Sequence, residues 1–360
     1  MTFMKFPIAE EEIFLKGRGS QINPFNPYHD RNLTQEHFEG LDEEMISRRE
    51  TQFFIEHPKK VVNKIESPDV GMLFSINPYQ GCEHGCVYCY ARNSHNYWGF
   101  SAGLDFETKI IMKPNAPALL ENAFLKPNWN PVPIMVSGNT DCYQPVERKM
   151  KITRNLLKMF LKYKNPVGMI TKNQLITRDI DLLSELAKEN LAHVLISTTG
   201  TNEEIRQKME PRTASYKQRF KTMEKLALAG IPVGVMIGPI VPGLTDDQIP
   251  EIIKTAADHG AYTAIYTMVR LNGAISQIFT DWIWKAFPEK AEKVLSNIKA
   301  VHDGNLNDSR WGKRMRGDGN LADAIRQMFY LMRDKYMGDK PGFEFNLKAF
   351  KRPGQMVMEF

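Results

Sequence analysis

The chain has 360 residues, 42% hydrophobic and 25% charged, ordinary values for a globular protein of one large domain or two smaller ones. Lys plus Arg number 47 against 42 acids, and a net charge of +5 does not by itself demand a nucleic-acid partner. Four cysteines in so long a chain exclude a disulfide scaffold and fit a reducing, cytoplasmic setting. Residues 1–12 hold consecutive acids and no long apolar run, which predicts no signal peptide. The longest apolar stretch, 231–244, is broken by Pro232, Pro239 and Pro242 and is too short to span a bilayer, so no membrane partner is expected.

The first seventy positions are polar and rich in breakers. Prolines and glycines interrupt every ladder in 17–27, which reads as an extended, irregular arm. Residues 48–57 suit a short helix or strand. From 71 onward, continuous apolar runs at 72–76, 132–136, 167–171, 192–197, 232–237 and 262–269 predict parallel strands covered on both faces. Helical patterns alternate with them. In 177–189, Ile180, Leu183, Leu186 and Ala187 share one face. Thr201-Asn202-Glu203-Glu204 and Thr245-Asp246-Asp247-Gln248 read as capping boxes after strands. The alternation predicts an α/β fold, a partial (β/α)6 TIM-type barrel, with an open doubly wound sheet as the alternative. The expected organisation is an N-terminal extension over 1–70, the barrel over 71–280 and a helical, basic extension over 281–360.

Either architecture puts chemistry at the carboxyl ends of the strands. Just after the first predicted strand comes Cys82-Glu83-His84-Gly85-Cys86-Val87-Tyr88-Cys89. Three thiolates so close suit a soft metal centre, either zinc completed by His84 or His95, or an iron–sulfur cluster. Structural zinc wants two separated pairs of ligands, whereas a [4Fe–4S] cluster on three thiolates leaves one iron open, and the chemistry favours the cluster.

The Cys-x-x-x-Cys-x-aromatic-Cys pattern resembles the radical S-adenosylmethionine (SAM) superfamily. Asn77-Pro78-Tyr79-Gln80-Gly81-Cys82, Cys89-Tyr90-Ala91-Arg92, Thr140-Asp141-Cys142-Tyr143-Gln144-Pro145, Glu210-Pro211-Arg212-Thr213 and Pro239-Ile240-Val241-Pro242-Gly243 resemble its spore-photoproduct-lyase-like, DNA-repair-photolyase group. The flanks, 17–23 and 306–317, resemble an uncharacterised bacterial subgroup of it. The resemblance covers about 71–275 in superfamily terms. It implies a [4Fe–4S] cluster held by Cys82, Cys86 and Cys89, with SAM on the open iron. It also implies an external one-electron reductant and reductive cleavage of SAM to a 5′-deoxyadenosyl radical that abstracts hydrogen.

The same resemblance implies roles for other residues. Tyr88 stands at the aromatic position near the SAM adenine. Gly138, Asn139 and Asp141 belong to the segment that holds the SAM amino group, and an Asx turn is the plainer reading. Ser197 and Thr199 end the fourth strand, where ribose or carboxylate is reached. Arg212 fits a carboxylate with two prongs, or else pairs with Glu210. Ile240 and Val241 would pack on adenine, or simply fill the core. Spore photoproduct lyase proper uses a cysteine hydrogen donor near the position of Gly138, and that thiol is absent here. Cys142 is a candidate replacement with Tyr143 as relay, against the favoured reading of a buried small hydrophobe.

Arg310, Lys313, Arg314 and Arg316, with Trp311, make a basic, glycine-flanked segment. It is a candidate contact for phosphates and a stacked base, against a solvated surface run. The leading expectation is a radical SAM enzyme acting on an unidentified substrate, with a nucleic-acid lesion or nucleotide in view. The competing one is a non-catalytic iron–sulfur or zinc protein that binds or transfers electrons.

Overall fold

Strand order decides between the two architectures. The computed structural model describes residues 14–28, 50–69, 71–338, 340 and 342–352. The signal-peptide expectation, over 1–12, lies outside these residues. The strands described are β1 (Gln52–Ile55), β2 (Asn63–Lys64), β3 (Phe74–Ile76), β4 (Tyr79–Gln80), β5 (Lys109–Met112), β6 (Ile134–Val136), β7 (Val167–Thr171), β8 (Ala192–Thr198), β9 (Val233–Ile240) and β10 (Thr263–Met268). The larger sheet runs β10-β9-β8-β7-β6-β3-β2. From β3 to β10 every pairing is parallel and the order follows the chain without reversal. A doubly wound sheet would reverse at a switch point, so this sheet is singly wound, as in a partial (β/α)6 barrel. All six predicted strands are present.

Burial on both faces explains the continuous apolar runs. In β8 only His193 is not buried, and β7 is buried except at Ile170. Gly234 of β9 is required by close approach, since a Cβ there would meet Leu195 Cδ2 at 2.9 Å and Thr263 Cγ2 at 2.8 Å. The helix Ile152–Tyr163 buries Leu156, Leu157, Phe160 and Tyr163 along one stripe, and Phe160 meets Phe124 at 5.8 Å between ring centroids. The helix Ile180–Ala187 buries Leu183, Leu186 and Ala187, as the periodicity predicts. Burying each such leucine contributes about 1.5–3 kcal/mol.

Edges are covered rather than left open. The helix Asn320–Met337 lies against β10, with Phe329 and Tyr266 rings 4.5 Å apart, and Met268 N donates to Met315 O at 2.8 Å. At the other edge β2 pairs antiparallel with β3. Residues 14–28 contain no helix or strand, as expected, whereas 52–55 form a strand, not a helix. This β1 joins β5 and β4 in a three-stranded sheet that the sequence does not announce. Beneath the barrel, the chain after the last helix crosses the amino ends of the strands. Phe343 stacks on His193 at 5.2 Å, Asn346 N donates to Asn190 O, and Arg352 donates to Phe124 O, Lys126 O and Trp129 O.

Neither predicted capping box forms. Asn202, not Thr201, caps the helix Glu203–Met209, accepting from Glu204 N and Ile205 N. Gln248 does not turn back onto Thr245, because its Oε1 accepts from Thr201 N and Asn202 N across the barrel mouth. Thr245 Oγ1 instead accepts from Val241 N at 3.0 Å. Among the described residues no helix is long and apolar enough to cross a membrane.

Candidate active site

The cysteine loop begins where β4 ends. Gly81 has φ +75, and a Cβ there would meet Lys109 O at 2.8 Å, so the turn into Cys82 needs glycine. Cys82 N donates to Phe106 O at 2.8 Å and Val87 N to Met209 O at 3.1 Å, which fixes the loop between two segments. Cys82 and Cys86 are buried and Cys89 is half-buried. Burial is the main cause that raises all three thiols. Asp141 and the other two thiols push Cys82 further, and Cys86, with Glu210 nearby, is raised to about 12. Three apposed thiols that resist ionisation alone would release their protons to a metal.

The donor set distinguishes the two metal readings. Among the described residues no three His, Cys, Asp or Glu side chains converge on a point where a single ion would sit. His84 has no nitrogen to spare. Its Nδ1 lies 3.3 Å from Asp141 Oδ2, and its Nε2 is 3.1 Å from Asn173 Nδ2. Structural zinc completed by His84 therefore does not fit. A cluster needs no histidine, since each thiolate binds its own iron. His95 is fully buried between Phe100 and Phe106, with both ring nitrogens unpartnered.

Opposite the loop stand the ends of β6, β7 and β8. Asp141 is a junction there, accepting from Thr171 Oγ1 (2.7 Å), Lys172 N (2.8 Å) and Tyr143 N (2.8 Å) and facing His84. Burial alone would raise its carboxyl, but His84, Lys172 N–H and the Thr171 hydroxyl outweigh that and hold it down at about 2. Asn139 N donates to Asn77 Oδ1 at 2.7 Å, and Gly138 O accepts from the Tyr90 hydroxyl. Ser137 takes φ 83, with its hydroxyl turned to Thr140 O.

Lys172 is a side chain facing the cysteine loop that motif reading passed over. Its Nζ donates to Ser197 Oγ at 2.9 Å and lies 5.8 Å from the Tyr88 ring centroid. It also lowers Cys86, Cys89 and Glu210 electrostatically. The signal was available, because Thr171-Lys172-Asn173 is the polar end of a predicted strand. Tyr88 is fixed through its hydroxyl on Glu210, which Arg219 Nη2 holds at 2.5 Å with neither group exposed.

Several predicted residues have other occupations. Arg212 pairs with Glu83 at 3.2 Å, not with Glu210, because Glu210 is already taken by Arg219 and Tyr88. Thr199 hydrogen-bonds the Tyr216 hydroxyl at 2.7 Å, fully buried. Ile240 and Val241 are fully buried, each in an apolar cluster. Cys142 has no exposure and sits among core residues, while Tyr143 donates to Asp179 Oδ2 at 3.1 Å. The Tyr143 hydroxyl is therefore engaged by Asp179, and Cys142 is enclosed among core residues.

The basic segment is also largely neutralised. Arg310 Nη2 reaches Asp308 at 2.6 Å and Asp303 at 3.5 Å, and Lys313 pairs with Asp318. Arg314 pairs with Asp69 at 2.6 Å and stacks 3.6 Å from the Trp311 ring centroid. A run of cations in the sequence is thus an acid–base cluster in space. Of its four cations, Arg316 alone makes no such pair among the described residues. Arg314 covers one face of the Trp311 ring, which is otherwise 56% exposed.

A singly wound barrel with three thiols at the carboxyl end of its first strand defines a class of radical enzymes. The radical SAM superfamily profile matches residues 76–256, half of the chain, and the chain belongs to this superfamily. It is accordingly a radical SAM enzyme, of a family that uses SAM and an iron–sulfur cluster. The uncharacterized protein Rv2578c of Mycobacterium tuberculosis is 29% identical over 236 residues, 64% of this chain and 69% of that protein. The uncharacterized protein MJ0683 of Methanocaldococcus jannaschii is 29% identical over 242 residues, 67% of this chain and 86% of that protein. Spore photoproduct lyase complexed with dinucleoside spore photoproduct shares the fold, with TM-score 0.57, 13% identity and 79% of each chain covered. A doubly substituted mutant of that lyase, with bound AdoMet and dinucleoside spore photoproduct, gives TM-score 0.56 at 14% identity, again over 79% of each chain.

Proposed function

We propose that Cys82, Cys86 and Cys89 hold one [4Fe–4S] cluster, that SAM binds beside it, and that the enzyme abstracts hydrogen from an organic substrate, with a nucleic-acid lesion or modified nucleotide as the leading class. The observation that carries this is one loop bearing two buried thiols and a half-buried third, with Lys172 at the facing strand end. When bound, the cluster and SAM supply the one-electron cleavage of a carbon–sulfur bond, with the electron coming from an external reductant.

The chain's own residues bind and orient. Lys172, held by Ser197, is the cation suited to the SAM carboxylate. The backbone carbonyls of 137–139 and the side-chain oxygen of Asn139 suit the SAM ammonium, with Asn139 held by Asn77, Gln80 and Ser94. Tyr88 presents a ring fixed through its hydroxyl on Glu210. Asp141 and Arg212 act one step back, the first tying His84 to Thr171 and Lys172, the second holding Glu83. The substrate class is supported by the dinucleoside lesion bound by spore photoproduct lyase, whose fold this chain shares.

Anaerobic reconstitution tests the assignment. About four irons per chain and a reduced paramagnetic signal that changes on adding SAM are expected. Stoichiometric zinc without iron would overturn it.

A further inference from the structure

We propose that the N-terminal arm is a wall of the cysteine site, braced onto the loop through the buried Arg92–Glu107 pair, with Arg92 and Glu107 as positioning residues. This rests on the reading that the three cysteines hold a cluster.

Arg92 lies on the short helix Tyr90–Trp98, three positions after Cys89, and has no solvent exposure. Its Nε donates to Cys86 O at 3.0 Å, its Nη1 to Ala102 O at 3.3 Å and Gly103 O at 2.9 Å, and its Nη2 to Glu107 Oε1 at 2.6 Å. The guanidinium therefore fixes the carbonyl of the middle cysteine directly. Glu107, equally unexposed, turns its remaining capacity toward the arm. Ser20 N donates to Oε1 at 2.7 Å and Gly19 N to Oε2 at 3.3 Å.

The arm and loop are in backbone contact at this point. A Cβ on Gly19 would fall 1.6 Å from Gly85 O, and one on Gly85, whose φ is +69, would fall 2.9 Å from Glu107 Oε2. Two glycines and one carboxylate thus form three touching layers. The arm is pinned further along, where Asn23 Oδ1 accepts from Leu104 N at 2.7 Å and Asn26 Nδ2 donates to Asn96 O at 3.3 Å. Apolar side chains could fill the same space without desolvating two charges. What the pair adds is direction: it aims Cys86 and keeps water from that side of the loop. The group that orients metal ligands from behind typically accounts for 10- to 100-fold in metal affinity.

Three variants test this. Gly19→Ala displaces the arm without touching any cysteine. Glu107→Gln keeps the shape but leaves Arg92 uncompensated. Arg92→Lys keeps the charge but cannot span Cys86, Ala102 and Gly103 together. Iron retention against a chelator should fall by about 10- to 100-fold in Gly19→Ala and Glu107→Gln, with a smaller loss in Arg92→Lys, and the reduced-cluster signal should change shape. Hydrogen exchange on the iron-free protein gives a second readout. Amides of 17–23 and 82–89 should loosen together in Gly19→Ala, while β7 to β9 stay protected.

A wild-type protein that carries a cluster, beside a Gly19→Ala protein with the same retention, signal and exchange, would overturn the brace and leave the cluster reading standing. A wild-type protein that never takes up iron would overturn the cluster reading. The exchange of arm and loop would then decide the brace alone: independent exchange rejects it and joint loosening supports it.

Discussion

Arg92 and Glu107, beneath the cysteine loop, have no solvent exposure, and neither have Arg219 and Glu210. In the loop after residue 302, Arg310, Lys313 and Asp318 are 44%, 47% and 43% exposed. Both sets join a basic side chain to a carboxylate at similar distances, Arg to Glu in the first and Arg or Lys to Asp in the second. Under the cysteines each charge is surrounded by further donors and acceptors, so that removing one strands the other in a dry site. Around Arg310, Lys313 and Asp318 each charge falls back on water, and salt screens the attraction. Charge in the first region specifies geometry. In the second it mainly cancels, and it closes the flank between β10 and the segment before β3 through Arg314 and Asp69.

The sharpest way to break this contrast is to cut one pair in each region. Arg219→Leu leaves Glu210 buried without its cation and should cost about 3–5 kcal/mol in denaturant unfolding. Lys313→Gln, which cuts the exposed pair with Asp318, should leave the denaturant midpoint essentially unchanged. Equal losses would erase the distinction between the regions.

A half-buried group without a counter-charge extends the contrast to pH. Burial holds His193 down at about 4, beneath the barrel and far from the cysteines. The unfolded histidine takes up its proton near 6.5 and the folded one only near 4. The stability contributed by neutral His193 is therefore full above about pH 6.5 and lost as pH falls toward 4, by up to about 3 kcal/mol. His193→Gln should flatten the stability profile over that window, and an unchanged slope would place the proton elsewhere.

Lys172 lies between the two extremes, partly buried and held by one hydroxyl. Lys172→Met should weaken SAM binding by roughly ten- to a hundred-fold, about 1.5–3 kcal/mol, with iron content near wild type. Calorimetry on the reconstituted protein checks this. Loss of iron instead would make Lys172 part of the loop's support.

The smallest effect belongs to the surface loop. Four free cations would give a slope near −3 to −4 in log affinity against log salt for an oligonucleotide, whereas Arg316 alone supports about −1. Arg314→Gln should leave the slope unchanged, because Arg314 is spent on Asp69. Fluorescence anisotropy across a salt series measures it, and a steep slope that flattens in this variant would restore the segment as a phosphate contact.

What the sequence made legible follows from the range of each interaction. The six barrel strands are written in continuous apolar runs, and the cysteines declare themselves by spacing. The three-stranded sheet does not, because β1 is four exposed residues with no alternation to read. The capping boxes were locally well formed and lost to Gln248, whose better partners, Thr201 N and Asn202 N, belong to another unit. The pairing of the basic segment is hidden in the sequence for a related reason. Its acids are scattered, and Asp69, which neutralises Arg314, lies on the far side of the barrel in sequence. Glu107 meets Arg92 and the arm only through folding, so no motif announces the pair. Arg212 stands beside Glu210 in sequence but turns to Glu83, because Arg219 reaches Glu210 first.

The central claim is that this loop, with Lys172 opposite it, supports reductive cleavage of SAM. Reconstituted protein incubated anaerobically with SAM and dithionite, with 5′-deoxyadenosine quantified by mass spectrometry, tests it most directly. Reductant-dependent 5′-deoxyadenosine is expected, abolished in Cys86→Ala and, with a deuterated true substrate, carrying deuterium. An iron-loaded protein that binds SAM and yields no 5′-deoxyadenosine under any reductant would contradict it.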